Sequence, residues 1–164
     1  MLFRSGSTSC TICPIGTYEF NNKICYYCSE GTYSNKTGAT SCTTCPKGSI
    51  ANMEGATSCT ICPIGTYEFN NKICYYCTAG TYSNKTGATS CTTCPKGSIA
   101  NMEGATSCTI CPIGTYERYN KYCYNCTAGT YSNKTGATSC TKCPDGTYSD
   151  ITGATNCKLS SDDF

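Results

Sequence analysis

Apolar residues occur along this chain in short groups, between closely spaced Gly, Pro and Cys residues. The recurring unit is Cys-x-x-Gly followed by Ser or Thr and then by Tyr or Ile, as in Cys13 to Tyr18 and Cys28 to Tyr33. Gly or Pro every few residues breaks the 3.6-residue pattern of a helix, so helices are not expected. The Thr-Tyr-Ser and Ala-Thr-Ser arms around polar Asn-Lys tips predict short β-hairpins instead.

The pattern repeats with a period of 49 residues, because Cys10, Cys59, Cys108 and Cys157 are each 49 apart. Within each period, Cys-x-x-Cys pairs begin at spacings of 15, 17 and 17 residues, which defines three modules per repeat. The predicted fold class is small and disulfide-rich: an elongated tandem array of short β-hairpin modules with almost no helix and no large hydrophobic core. The expected divisions are a truncated tail of an upstream module at 1–9, three repeats at 10–58, 59–107 and 108–157, and a polar C-terminal tail at 158–164.

The composition requires cross-links of some kind. Cys accounts for 19 of the 164 residues, whereas Leu, Ile, Val and Phe together number 17 (2, 11, 0 and 4). A chain with so few large apolar residues cannot bury enough apolar area to fold on a core alone. Disulfides or bound metal must therefore stabilise it.

Charge and residue content exclude several classes of function. Twelve Lys and Arg against ten Asp and Glu leave a net charge of +2 without a basic patch, so no nucleic-acid partner is expected. His, the commonest general base, is absent, and no nucleophile and base are arranged for hydrolysis. Acidic residues do not follow calcium-loop spacing. We therefore expect no enzyme activity, no catalytic residue, no metal and no cofactor.

The Cys-x-x-Cys pairs themselves are open to three interpretations. A redox dithiol needs a helix start, which this sequence does not supply. Two pairs a dozen residues apart resemble a four-thiolate zinc site, but nine pairs would leave one over, and the Pro that follows many of the second cysteines removes an N–H that could support sulfur. An intracellular zinc-binding array, with four cysteines at each site, is the alternative to a disulfide array.

Spacing favours one disulfide pattern, in which the second Cys of each pair joins the first Cys of the next. Every loop then spans 11 or 13 residues, so the two cysteines can face each other across a hairpin. In the second module this places Asn35 at the centre and Thr32 opposite Gly38. Cys10 is left unpaired. The predicted pairs are Cys13–Cys25, Cys28–Cys42, Cys45–Cys59, Cys62–Cys74, Cys77–Cys91, Cys94–Cys108, Cys111–Cys123, Cys126–Cys140 and Cys143–Cys157.

The motifs Cys-Pro-x-Gly-Thr-Tyr-Ser and Gly-Ala-Thr-Ser-Cys-Thr-x-Cys-Pro give the chain a family resemblance over residues 5–157. It resembles the ephrin-receptor-like cysteine-rich repeats, which are related to growth-factor-receptor and TNF-receptor-like modules and occur in protist cysteine-rich surface proteins. The resemblance implies an extracellular rod of disulfide-bonded hairpins in which each Cys-Pro-x-Gly loop closes onto the next Cys. No kinase motif is present, so signalling is not implied.

Two sets of side chains are candidates for surface roles. Asn35, Asn84 and Asn133 each begin Asn-Lys-Thr at equivalent positions and are candidate N-glycosylation sites in a secreted chain. Asn125 also fits the motif, but its middle residue is a predicted bridge Cys. Recurrent tyrosines are expected to lie against their own disulfide or the next module, with a row of ligand-stacking rings as the alternative: Tyr18, Tyr33, Tyr67, Tyr82, Tyr116, Tyr131 and Tyr148.

The sequence thus predicts an extracellular or cell-surface protein that serves as a structural stalk or as a receptor- or adhesin-like module for an unknown protein or surface ligand. No apolar run is long enough to span a membrane, so any anchor is expected in another part of the full-length protein. Arg4 interrupts the apolar start, and Cys10 lacks the head of its module. We therefore expect a fragment of a longer secreted protein, without its signal peptide.

Overall fold

The computed structural model describes residues 12–21 and 24–160. Cys10, the whole predicted upstream tail at 1–9 and residues 161–164 of the predicted C-terminal tail lie outside these residues. The described part of the chain contains eighteen strands and no helix. Each strand is two or four residues long, as expected where Gly and Pro are so frequent.

The strands pair with their neighbours in sequence and form nine two-stranded sheets in the described residues. We number these sheets as hairpins 1 to 9. The first six strands are β1 (Thr17–Phe20), β2 (Ile24–Tyr27), β3 (Thr32–Tyr33), β4 (Thr43–Thr44), β5 (Ser49–Ile50) and β6 (Thr60–Ile61). The next six are β7 (Thr66–Phe69), β8 (Ile73–Tyr76), β9 (Thr81–Tyr82), β10 (Thr92–Thr93), β11 (Ser98–Ile99) and β12 (Thr109–Ile110). The last six are β13 (Thr115–Arg118), β14 (Tyr122–Asn125), β15 (Thr130–Tyr131), β16 (Thr141–Lys142), β17 (Thr147–Tyr148) and β18 (Lys158–Leu159).

This architecture confirms the predicted disulfide-rich array of short hairpins with almost no helix. The predicted register of the short hairpins is wrong, however. Thr32 pairs with Thr44 and Tyr33 with Thr43, so the second strand lies beyond Cys42 instead of in the Ala-Thr-Ser arm. Gly38 does not face Thr32.

The reason for this register lies in backbone hydrogen bonds to the preceding hairpin. Gly38 N donates to Cys13 O (2.7 Å), and Ala39 O accepts from Glu19 N (2.8 Å). The Ala-Thr-Ser arm therefore uses its polar groups on the neighbouring module and has fewer left for its own hairpin. The ladder instead continues past Thr44, where Cys45 N donates to Gly31 O (2.9 Å).

Glycines that open and close the modules join successive hairpins. Gly16 N donates to Ser34 O (2.8 Å), and Gly31 N donates to Ala51 O in the same way (2.8 Å). Glycine is required here because the backbone is left-handed; φ is +79° at Gly16 and +82° at Gly31. Each hairpin thus depends on its neighbour for part of its hydrogen bonding.

Cysteine and small side chains take the place of an apolar core. The most deeply buried side chains in the described residues are Cys28, Cys62, Cys77, Cys111 and Cys126. A hydroxyl at the start of the first strand donates to the turn before it, and in hairpins 1 and 3 this hydroxyl is buried: Thr17 Oγ1 donates to Pro14 O and Ser49 Oγ to Pro46 O, both at 2.7 Å. In the described residues, no buried side-chain nitrogen or oxygen lacks a hydrogen-bond partner.

The described residues divide into two contact units. One contains the residues up to Tyr75 together with Lys85–Ser90, and the other contains Tyr76–Asn84 together with the residues from Cys91 onward. Each unit contains at least one cluster of aromatic rings and one groove, and these are described in the next subsection.

Candidate binding surface

The structure brings together the two cysteines of every predicted pair, from Cys13–Cys25 to Cys143–Cys157. Their Cα atoms lie 5.5–5.8 Å apart, the usual separation for a disulfide. The two members are not opposed across the ladder, as the spacing had suggested: in hairpin 1 the residue facing Cys25 is Glu19. Each bridge instead ties the turn before a hairpin to that hairpin's return segment.

Because the described cysteines form disulfides, they do not support the other two interpretations, a zinc site and a redox dithiol. The described residues contain no group of three or more His, Cys, Asp or Glu side chains that could hold a metal ion. All eighteen described cysteines are in disulfides, so none of them is a thiolate for zinc or for redox attack. The disulfides therefore favour the extracellular interpretation over the intracellular zinc array.

The long hairpins each carry a cluster of three aromatic rings. In hairpin 1, the ring centroid of Tyr26 lies 6.0 Å from both Tyr18 and Phe20. In hairpin 4, Tyr75 lies 6.1 Å from Tyr67 and 5.7 Å from Phe69. Such tilted and edge-on contacts are the favoured geometry for aromatic pairs. We call these clusters the aromatic faces.

The aromatic faces are exposed to solvent. Phe20 keeps 52% of its surface accessible and Tyr26 keeps 42%. Phe69 and Tyr75 are similar, at 49% and 45%. Several neighbouring exposed rings on a small module are unusual, because most exposed apolar residues are scattered singly.

Hairpin 7 preserves its aromatic face by exchanging two positions across the strands. Phe20 pairs with Ile24 in hairpin 1, whereas the corresponding pair in hairpin 7 is Arg118 and Tyr122. The third ring thus moves from the first strand to the second, and Tyr122 lies 6.0 Å from Tyr124. The cluster of three rings is retained although both residues differ.

The exchange also adds a positive charge to the third aromatic face. The guanidinium carbon of Arg118 lies 5.0 Å from the ring centroid of Tyr119, and Arg118 donates a hydrogen bond to the Tyr119 hydroxyl at 3.1 Å. This hydrogen bond is the main cause that raises the pKa of the Arg118 guanidinium above its ordinary value. Arg118 is exposed to solvent.

Each contact unit also contains a groove, and the two grooves are equivalent at a spacing of 49 residues. The groove of the first unit, groove A, has a volume of about 590 Å³, and the groove of the second, groove B, about 610 Å³. The key lining residues of groove A are Tyr33, Asn35, Pro46, Lys47 and Ile61. Those of groove B are Tyr82, Asn84, Pro95, Lys96 and Ile110.

The predicted surface residues fall into these two features. Asn35, Asn84 and Asn133 are exposed, and the first two line the grooves. Tyr18, Tyr67 and Tyr116 belong to the aromatic faces, each in a tilted contact with a ring of its own hairpin. Tyr33 and Tyr82 line the grooves, Tyr131 is half-buried, and Tyr148 is exposed.

Sequence reasoning missed the aromatic faces and the grooves. The signal for the faces was present in the alternation Tyr18-Glu19-Phe20, which places both rings on one side of a strand. The grooves gave no local signal, because groove A combines residues of hairpins 2 and 3 with Thr86 and Gly87 of hairpin 5.

The fold and its site define a class of protein: a tandem array of disulfide-closed β-hairpins that displays repeated surface clusters. The chain belongs to the family described as tyrosine-protein kinase ephrin type A/B receptor-like, which matches it at residues 19–58, 68–111 and 114–159. The matched repeats are a cysteine-rich, non-catalytic module. No curated protein matches the chain. In the described residues, no helix is long and apolar enough to cross a membrane.

Proposed function

We propose that this chain is part of an extracellular or cell-surface protein, in which it presents the aromatic faces to a protein partner. The observation that carries the proposal is the closing of every hairpin by a disulfide in a fold without an apolar core. Such disulfides form and persist in oxidising compartments and are rare in the cytosol. The family of the chain supports the same location.

The aromatic faces support a role in binding. Their rings are exposed, and the exchange of Phe20 and Ile24 for Arg118 and Tyr122 changes the residues while keeping three rings together. Aromatic side chains and Arg are enriched at the centres of protein interfaces. The partner of hairpin 7 is expected to carry an acidic group opposite Arg118.

A stalk is the second candidate function. Residues 10–58 and 59–107 differ only where Ser29 and Glu30 become Thr78 and Ala79. Such uniform repeats suit a spacer, whose only requirement is that each module packs on the next.

The location is tested by intact mass before and after alkylation of freshly purified protein from cells of the source. Nine disulfides leave one alkylatable thiol without reductant, which is Cys10. A zinc array yields all 19 thiols once metal is removed, and that result would overturn the proposed location.

The binding role is tested with the fluorescently labelled chain on live cells. The variant F20A/F69A/Y122A removes one ring from each aromatic face, and I64A/I113A is the matched control, since Ile64 and Ile113 are exposed apolar residues outside the faces. We expect the first variant to lose at least tenfold in bound label and the control to bind as the wild type. Equal binding by both variants would exclude the faces and favour the stalk.

A further inference from the structure

Asn35 occupies a particular place in the fold, because it is both an exposed Asn-Lys-Thr asparagine and a lining residue of groove A. Asn84 has the same two properties in groove B. A group attached to either side-chain amide would therefore begin at the edge of a groove.

The loop that carries Asn35 is held by hydrogen bonds on both sides of this residue. Ser34 is buried, its N–H donates to Ala56 O at 3.0 Å, and its Oγ donates to Lys36 O at 3.1 Å. The backbone on either side of Asn35 is therefore held by hydrogen bonds while its side chain is exposed. In groove B, Ser83 N donates to Ala105 O at the same distance, 3.0 Å.

The groove lining has the chemistry that a sugar ring requires. Tyr33, Pro46 and Ile61 supply apolar surface for the C–H face of a pyranose ring. Thr57 and Ser58 supply hydroxyls for its polar edge. A volume of about 590 Å³ lies within the usual range for small-ligand sites, so one or two sugar residues fit.

We propose that Asn35 and Asn84 carry N-linked glycans and that the first sugar residue of each glycan lies in the adjacent groove. The inference rests on the proposed extracellular location, because the donor, a lipid-pyrophosphate-linked oligosaccharide, belongs to the secretory pathway. In the transfer, Asn Nδ2 forms a bond to the anomeric carbon of the first sugar. The bond from that carbon to the pyrophosphate oxygen breaks, the lipid pyrophosphate leaves, and the proton lost by the amide passes to the released pyrophosphate.

Asn125 provides an internal contrast with the same sequence motif. It lies in β14, its middle residue Cys126 is buried in the disulfide to Cys140, and its Oδ1 would lie 3.5 Å from a Cβ added at Gly153. Its side chain is exposed, but it lies beside Gly153 and lines neither groove A nor groove B. We expect Asn125 to remain unmodified.

The first experiment measures site occupancy on the full chain secreted by eukaryotic cells. Glycopeptide mass spectrometry is expected to find Asn35 and Asn84 occupied in most molecules and Asn125 bare. Unmodified Asn35 and Asn84 in a secreted, disulfide-bonded chain would overturn the inference and leave the proposed location intact. A chain that keeps 19 free thiols would instead overturn the proposed location.

The second experiment asks whether the first sugar lies in the groove, by measuring the rate at which a peptide N-glycosidase releases each glycan from the native protein. Ile61→Thr removes the exposed apolar wall of groove A and reproduces the Thr43–Thr44 strand of hairpin 2, so the strand is expected to form. Ile110→Thr does the same in groove B. Ile64→Thr is the matched control, exposed and outside groove A.

The expected result is that each groove substitution changes the rate of glycan release at one site only. Ile61→Thr accelerates release at Asn35 at least threefold and leaves Asn84 unchanged, whereas Ile110→Thr has the reverse effect and Ile64→Thr changes neither rate. Release rates that respond equally at both sites, or at neither site, would overturn the placement of the sugar in the grooves.

Discussion

Gly48 lies directly against the carbonyl oxygen of Gly87, a residue 39 positions further along the chain (87 − 48). A Cβ added at Gly48 would overlap Gly87 O, and the left-handed φ of +82° at Gly48 is itself unfavourable for any other residue. The contact joins hairpin 3 to hairpin 5, so hairpins touch their second neighbours as well as their first.

Gly48→Ala tests the importance of this contact, with Gly129→Ala as a matched control. Gly129 has nearly the same φ, +81°, but no atom within 4 Å of an added Cβ. The control is expected to lower the free energy of unfolding by about 1–2 kcal/mol, from backbone strain alone. Gly48→Ala is expected to lower the free energy of unfolding by at least about 2 kcal/mol more than the control does, because the backbones at Gly48 and Gly87 must move apart. The measurement is guanidinium unfolding with the disulfides intact, and equal losses would contradict the packing role.

Asn71 joins hairpin 4 to hairpin 3 with its side-chain amide. Its Nδ2 donates to Cys45 O at 2.9 Å and to Ser49 O at 3.2 Å, and its backbone is left-handed, with φ +55°. Asn71→Gly keeps the backbone geometry but removes the side-chain hydrogen bonds. It is expected to lower the free energy of unfolding by about 1–3 kcal/mol. Asn71→Asp should lose more, since a carboxylate would then face carbonyl oxygens. An Asp variant as stable as the wild type in chemical unfolding would show that the amide is not the anchor.

The exchanged pair in hairpin 7 predicts coupling between two substitutions. Tyr122→Ile alone removes the contact with Tyr124 and is expected to lower the free energy of unfolding by about 0.5–1.5 kcal/mol. Adding Arg118→Phe recreates the arrangement of hairpin 1 and should restore most of the loss. A double-mutant cycle on thermal unfolding measures the coupling. Strictly additive effects would mean that the three rings do not act as one cluster.

The disulfide pairing predicts the cost of removing one bridge. Replacing Cys94 and Cys108 together by Ser opens one disulfide loop of the array. This change is expected to lower the free energy of unfolding by about 3 kcal/mol. Replacing Cys94 alone leaves Cys108 without its partner and should yield one additional alkylatable thiol. Partial reduction followed by cyanylation and peptide mapping checks each pair. A free thiol at Cys91 in the single variant would indicate the other pairing, within the Cys-x-x-Cys motif.

The repeat and the fold class could be predicted from the sequence because cysteine, glycine and proline positions are local signals. The register could not, because it depends on Gly38 and Ala39 bonding to hairpin 1 instead of to their own hairpin. The role of Asn71 was equally hidden, since its acceptor Cys45 O lies 26 residues earlier in the chain. Contacts between modules are fixed only when the hairpins stack, and a pattern read within one module does not contain them.

The contacts between second-neighbour hairpins also bear on how such a gene can change in length. Within the first unit, Gly16 meets Gly55 and Gly48 meets Gly87, whereas Gly31 meets Asn70 and Asn71. Deleting or duplicating one 17-residue module would bring unlike partners together, but adding or removing a whole 49-residue repeat leaves each contact type unchanged. A whole repeat is therefore the smallest change in length that keeps every contact type, and length variants of this protein are expected to differ by whole multiples of 49 residues.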